Sequence, residues 1–198
     1  MRIEPRGFDG RFWKPVVTAL LALAVSPAAF AEPAVSEQMI YYDVSGSTVG
    51  ELAAEMRQKG PVDSDGHKYD ADTKWFVKWA YRYQQTGEGC RLQPVTVSVR
   101  VDYIVPRLAA PSAVPANLRG RWDNFASKLT THERGHGRHG VDAARDVERS
   151  LRELFGSCKT IGAEADALAR QVIAKYNRLD VQYDAETHHG ASQGAVLR

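Results

Sequence analysis

The sequence is short of several things, and each shortage narrows what the protein can be. It has no apolar run long enough to cross a membrane: the longest, Val16 to Val25, has ten residues, against about 20 for a spanning helix. It has no strong charge of either sign, since 26 Lys and Arg stand against 24 Asp and Glu, too small an imbalance to support a nucleic-acid surface. Only two cysteines occur, Cys90 and Cys158, and neither has a partner two to four residues away, which excludes a zinc knuckle. Internal repeats and low-complexity tracts are missing too. The chain of 198 residues, 43% hydrophobic and 25% charged, therefore reads as one globular domain with a core of its own.

The first 31 residues have the features of a secretory signal. A basic segment ending at Lys14 precedes the ten-residue apolar run, Ser26-Pro27 breaks that run, and Ala29-Phe30-Ala31 places small residues where a signal peptidase reads. Cleavage is expected before Glu32, leaving residues 32–198 as a single domain. This leader carries Arg2, Arg6, Arg11 and Lys14 against Glu4 and Asp9, so the remaining chain has 22 basic and 22 acidic groups. The mature protein is expected to be periplasmic or secreted, with no stable membrane insertion and no nucleic-acid partner. In an oxidising compartment its two cysteines are expected to pair as Cys90–Cys158. Oligomeric state leaves no trace in the composition.

Along the mature chain, Glu32 to Gln38 reads as a loose arm and Met39 to Val44 as a strand. A turn at Ser45–Thr48 caps a short helix that carries Leu52 and Met56 and stops at Gly60-Pro61. Val62 to Asp72 reads as a loop. Trp75, Val77, Trp79, Tyr81 and Tyr83 alternate with Lys74, Phe76, Lys78 and Arg82, and Val95, Val97, Val99 and Val101 alternate with Thr96, Ser98, Arg100 and Asp102. This period of two marks half-buried strands, and the Gly87-Glu88-Gly89 turn between them predicts an antiparallel pair. From Asn117 the period lengthens. Trp122, Phe125, Leu129, His132, His136, Gly140, Ala143, Val147, Leu151 and Leu154 follow at steps of three or four and define one stripe of a long helix. Ile161 to Tyr176 outlines a further helix, and Asp180 to Arg198 shows no periodicity. The expected fold is α+β, a small antiparallel sheet packed on the long helix with one or two more helices.

Two histidines interrupt the apolar stripe. His132-Glu133-Arg134-Gly135-His136 is an HExxH motif, and on a helix its two imidazoles lie on one face about 6 Å apart, spaced to hold one ion. Neutral nitrogen donors leave zinc enough positive charge to acidify a bound water, and Glu133, about 100° round the axis, is the expected base for it. A third ligand is required, and several residues compete for the role. His188 and His189 form a second histidine cluster. Asp142 stands six residues after His136, where metzincins place their third ligand; however, His139 occupies the position where they need glycine, and the methionines, at 1, 39 and 56, all precede the motif. Glu164 lies on the next helix. His139 is expected to face away from the pair. Gly135, Gly137 and Gly140 each cost about 1 kcal/mol in a helix and mark where it would bend.

The residues resemble the predicted secreted zinc-dependent proteases of bacteria. The likeness is carried by Tyr42 with Gly46 and Thr48, Gly60-Pro61, Thr73-x-Trp75-x-Val77-x-Trp79-x-Tyr81, Cys90, the HExxH, and a tail motif Tyr183-Asp-x-x-Thr187-x-His189-Gly190-x-x-Gln193-Gly194. The resemblance implies a zincin-like metallopeptidase acting on a peptide or protein substrate, with Zn2+ held by His132, His136 and His189. It favours His189 over His188 because the histidine before glycine is the motif position. It also makes Tyr183 a candidate hydrogen-bond donor to the transition state, with Thr187 and Gln193 shaping the tail. Two other functions fit the same residues: a non-catalytic envelope binding module with structural zinc, or an amidase acting on cell-wall peptides.

Overall fold

A computed structural model describes residues 32–62 and 66–198. The expected signal peptide, residues 1–31, lies outside the described residues.

Strand β2 (Asp72–Gln85) and strand β3 (Cys90–Leu108) form an antiparallel pair closed by a turn in which Thr86 N–H donates to the Gly89 carbonyl at 2.8 Å. Trp75, Val77, Trp79 and Tyr81 sit opposite Val101, Val99, Val97 and Val95. Both alternating apolar rows therefore fall on one face, as the period of two requires. Strand β1 (Ala34–Val44) pairs with the other edge of β3 in parallel, giving the order β1-β3-β2, and a two-residue strand β4 (Phe155–Gly156) pairs with the start of β3.

The sheet is thus mixed where an antiparallel one was expected. β1 also begins at Ala34, so the segment read as a loose arm is strand, with Ala34 to Gln38 opposite Ser98 to Asp102. It escapes notice because an edge strand exposed on both sides needs no alternation. A parallel neighbour needs a crossover, and helix α1 (Val49–Lys59) together with β2 supplies it. Thr48 caps α1, its hydroxyl accepting from Glu51 N–H at 3.2 Å.

Helix α2 (Ala116–Glu153) runs unbroken for 38 residues, roughly 57 Å, against the apolar face of the sheet. The stripe from Trp122 to Leu151 is buried along its whole length. The glycines expected to bend it instead let rings approach its backbone: a Cβ on Gly137 would lie 2.1 Å from the Tyr103 hydroxyl. Helix α3 (Ile161–Thr187) packs on α2, its Ala165 and Ala169 fully buried with Val147 and Leu151. It continues 11 residues beyond Tyr176, through a stretch whose lack of apolar period predicted no helix. Cys90 and Cys158 form the expected disulfide, tying the start of β3 to the segment before α3.

Candidate metal centre

α2 presents His132 and His136 side by side, 2% and 8% exposed, with their Nε2 atoms 3.3 Å apart. α3 crosses opposite them and places Asp184 Oδ1 at 3.1 Å from each Nε2. These three atoms converge because α3 carries Asp180 and Asp184 one turn apart, as α2 carries its histidines.

The outer nitrogens decide what the inner ones can do. His132 Nδ1 lies 3.1 Å from Gln193 Oε1, and His136 Nδ1 lies 2.9 Å from Asp180 Oδ1. Both partners are acceptors, so both Nδ1 atoms carry hydrogen, and in a neutral ring the Nε2 atom is then a bare lone pair. Two lone pairs and a carboxylate oxygen face one another at 3.1–3.3 Å, an arrangement that needs a positive charge at its centre. Either a proton or a metal ion supplies it. Burial opposes a charge on His136, but Asp180 and Asp184 overcome this and raise its pKa to about 10, so a proton takes the place when no ion does. Burial would likewise raise Asp184, yet the neighbouring imidazoles hold its carboxyl well below the usual range. The donor separations also match the edge of a tetrahedron around an ion with bonds of ~2.0 Å, which is about 3.3 Å. The residues present therefore fit a metal ion, and His132, His136 and Asp184 form a candidate set.

Glu133 is 4% exposed and opens on the same cleft of about 500 Å3, whose walls include Leu129, Tyr69, Asp70 and Val181. Thr73, at the start of β2, donates its hydroxyl to Glu133 Oε2 at 2.7 Å. Burial raises the Glu133 pKa, with the Thr73 hydrogen bond and the two histidines partly offsetting it.

The other expected site residues are spread out. His189 borders the cleft with its side chain 61% exposed, its Nδ1 3.5 Å from Asp184 Oδ1 and its ring beside Tyr69. It and His188 both adopt left-handed backbone, φ 50° and 51°, in the turn that ends α3. Tyr183 stacks on the His132 ring at 4.9 Å; its hydroxyl accepts from Gln193 Nε2 at 3.0 Å and lies 3.5 Å from the His132 carbonyl. It is not among the residues lining the cleft. Thr187 and Gln193 shape the tail as expected: the Thr187 hydroxyl donates to the Tyr183 carbonyl at 2.7 Å and accepts from Gly190 N–H at 3.3 Å. Gly190 (φ 80°) lets this turn close over His132, whose ring would lie 2.9 Å from a Cβ there. Asp142 is paired with Arg145 on the surface of α2. Glu164 sits in the first turn of α3, 20 residues and so roughly 30 Å from Asp184. His139, expected to face away, donates Nδ1–H to Asp180 Oδ1 at 2.7 Å.

In the sequence Asp184 stood only as a position of the tail motif, with no ligand role, and Asp180 was missed, although a signal existed. Ala165, Ala169, Ile173, Tyr176, Asp180 and Asp184 follow at steps of three or four, so two carboxylates continue an inward stripe, as two histidines do on α2.

No curated protein and no solved structure matches the chain. One family matches, described as "Bacterial protein of unknown function (DUF922)", over residues 39–190. The match takes in the HExxH, Thr73, Asp180 and Asp184 and stops short of Gln193. Because it spans about three quarters of the sequence, the chain belongs to this bacterial family of unknown function.

Proposed function

We propose that the protein is a zinc-dependent metallopeptidase acting outside the cytoplasm, with His132, His136 and Asp184 as metal ligands and Glu133 as general base. The observation that carries this reading is the meeting of two imidazole lone pairs and one carboxylate oxygen beside a buried glutamate, on a cleft open to solvent. Two nitrogens and one oxygen suit zinc, which in such a three-ligand set lowers the pKa of water to about 7 and polarises carbonyl groups. Glu133 accepts a proton at Oε1 or Oε2 and returns it to a leaving amine; Thr73 holds its carboxylate in place. Leu129 and Val181 give the cleft apolar wall against which a peptide side chain can rest. Export is supported by the Cys90–Cys158 disulfide.

The test is hydrolysis of a mixed fluorogenic peptide library by zinc-loaded protein. Cleavage lost in Glu133→Gln, with zinc retained, is the expected result. Cleavage unchanged in that variant would refute the role of Glu133.

A second reading rests on His189, which stands 3.5 Å from Asp184. If it completes a four-protein-ligand site, the zinc is structural and the protein a binding module, because closed tetrahedral sites do not admit substrate. His189→Ala would then weaken zinc binding as much as Asp184→Ala does. In the peptidase reading the Asp184 change is the more damaging.

A further inference from the structure

Asp180 joins three elements through one carboxylate. Its Oδ1 accepts from His136 Nδ1 at 2.9 Å and from His139 Nδ1 at 2.7 Å, while its Oδ2 accepts from Trp75 Nε1 at 2.8 Å. The side chain is 20% exposed. A carboxylate only accepts, and here each oxygen meets only N–H groups. An asparagine could not replace it: with its oxygen toward the histidines, its NH2 would meet the indole N–H donor to donor.

We infer that Asp180 and Trp75 form the positioning device of the metal centre: the carboxylate fixes His136 as its Nδ1–H tautomer, which turns the Nε2 lone pair to the ion, and the indole stops the carboxylate from rotating away. This rests on the proposed metal site.

The fold contains its own control. Four residues along β2, Trp79 Nε1 donates to Asp166 Oδ1 at 3.0 Å, the same pairing about four turns nearer the start of α3, and the Tyr81 hydroxyl lies 3.3 Å from that oxygen. No histidine touches Asp166 in any of these contacts. Both pairs hold α3 to β2, but the Asp180 pair alone continues into a metal ligand. A purely structural role would make the two pairs equivalent for zinc; a positioning role makes them differ.

The experiment is a competition titration of zinc against a chromophoric chelator, with the visible spectrum of the cobalt-substituted protein as a second readout. It compares full-length wild type with Asp180→Asn, Trp75→Phe, Asp166→Asn and Trp79→Phe. Asp180→Asn is expected to lose about 10–100-fold in zinc affinity and Trp75→Phe roughly 2–10-fold, each with a shifted cobalt spectrum. Asp166→Asn and Trp79→Phe are expected to lower thermal stability, with zinc affinity within about 2-fold of wild type and the spectrum unchanged. Equal zinc affinity in Asp180→Asn and wild type, or equal losses at the two pairs, would overturn the inference. If Asp180→Asn fails to fold, Trp75→Phe against Trp79→Phe decides it alone. Wild type that binds no zinc would overturn the metal reading itself, a result distinct from the others.

Discussion

The same substitution made at two points of α2 should have opposite effects, because the helix meets different surroundings there. Gly120→Ala places a methyl where nothing lies within 4 Å. Only the backbone gains, and relief of the glycine penalty stabilises the fold by up to about 1 kcal/mol. Gly140→Ala has the same backbone gain but puts a Cβ 2.6 Å from both Cβ and Cγ of Trp75, where ordinary carbon contacts begin at about 3.5 Å. Those atoms sit at the root of the side chain, so no rotamer change clears the clash and α2 must move away from β2. Overpacking of this kind costs about 1–3 kcal/mol, and disturbing the Trp75–Asp180 hydrogen bond adds about 1 kcal/mol. The net effect is a loss of roughly 1–3 kcal/mol, and the two variants should stand about 2–4 kcal/mol apart. In a domain of this size each kcal/mol moves Tm by about 2–4 °C, which separates the variants by roughly 5–15 °C. Calorimetry or urea unfolding monitored by circular dichroism would read the difference. Gly140→Ala as stable as Gly120→Ala would refute the packing of α2 on Trp75, and with it the alignment that brings Asp180 to His136.

Other consequences can be tested independently. Asp146 accepts from the Tyr176 hydroxyl at 2.9 Å and from Lys175 at 3.2 Å; burial would raise its pKa, but these bonds and the charge of Arg149 hold it below the usual range. A depressed carboxyl stabilises the fold fully above its unfolded pKa near ~4 and loses that contribution as pH falls through the lower folded value. Asp146→Asn should therefore cost about 1–2 kcal/mol at pH 7 by urea unfolding and less at pH 3; an equal cost at both would contradict the pairing. Removing the disulfide by Cys90→Ser with Cys158→Ser opens a link between residues 68 apart, for which the chain-entropy model gives a loss of roughly 4 kcal/mol. A loss under about 1 kcal/mol would show that the unfolded chain is constrained in another way. Tyr183→Phe tests the role of the phenol, whose hydroxyl meets Gln193 and the backbone of His132. Peptidase activity should fall less than about 10-fold, whereas a loss of about 100–1000-fold would mean that the hydroxyl reaches the transition state.

The parts of this structure that were legible in the sequence are those where burial imposes a period. The stripe of α2 could be read from Trp122 to Leu151 because every third or fourth residue is buried, and the β2–β3 pair because its apolar rows share a face. Strand direction left no such mark: β1 is parallel because of how the chain crosses over, and the alternation is the same either way. The last three turns of α3 were illegible for a more instructive reason. Asp180 and Asp184 face inward, but toward imidazoles and a candidate ion site rather than toward hydrocarbon, so the inward stripe becomes polar where the chemistry begins. The HExxH was recognisable because both histidines lie in one short segment, while the carboxylates that complete the set lie more than 40 residues later, on a helix whose extent had to be known first. His189 belongs to the right neighbourhood, since the turn that carries it closes over His132, but it stands beside Asp184 rather than between the two imidazoles.

The most direct test of the account is the zinc content of the purified, oxidised protein, measured by mass spectrometry after exhaustive dialysis alongside Asp184→Ala and His189→Ala. The account predicts one zinc per chain in wild type, near-complete loss in Asp184→Ala and retention in His189→Ala. No zinc in wild type, or zinc kept by Asp184→Ala and lost by His189→Ala, would contradict it.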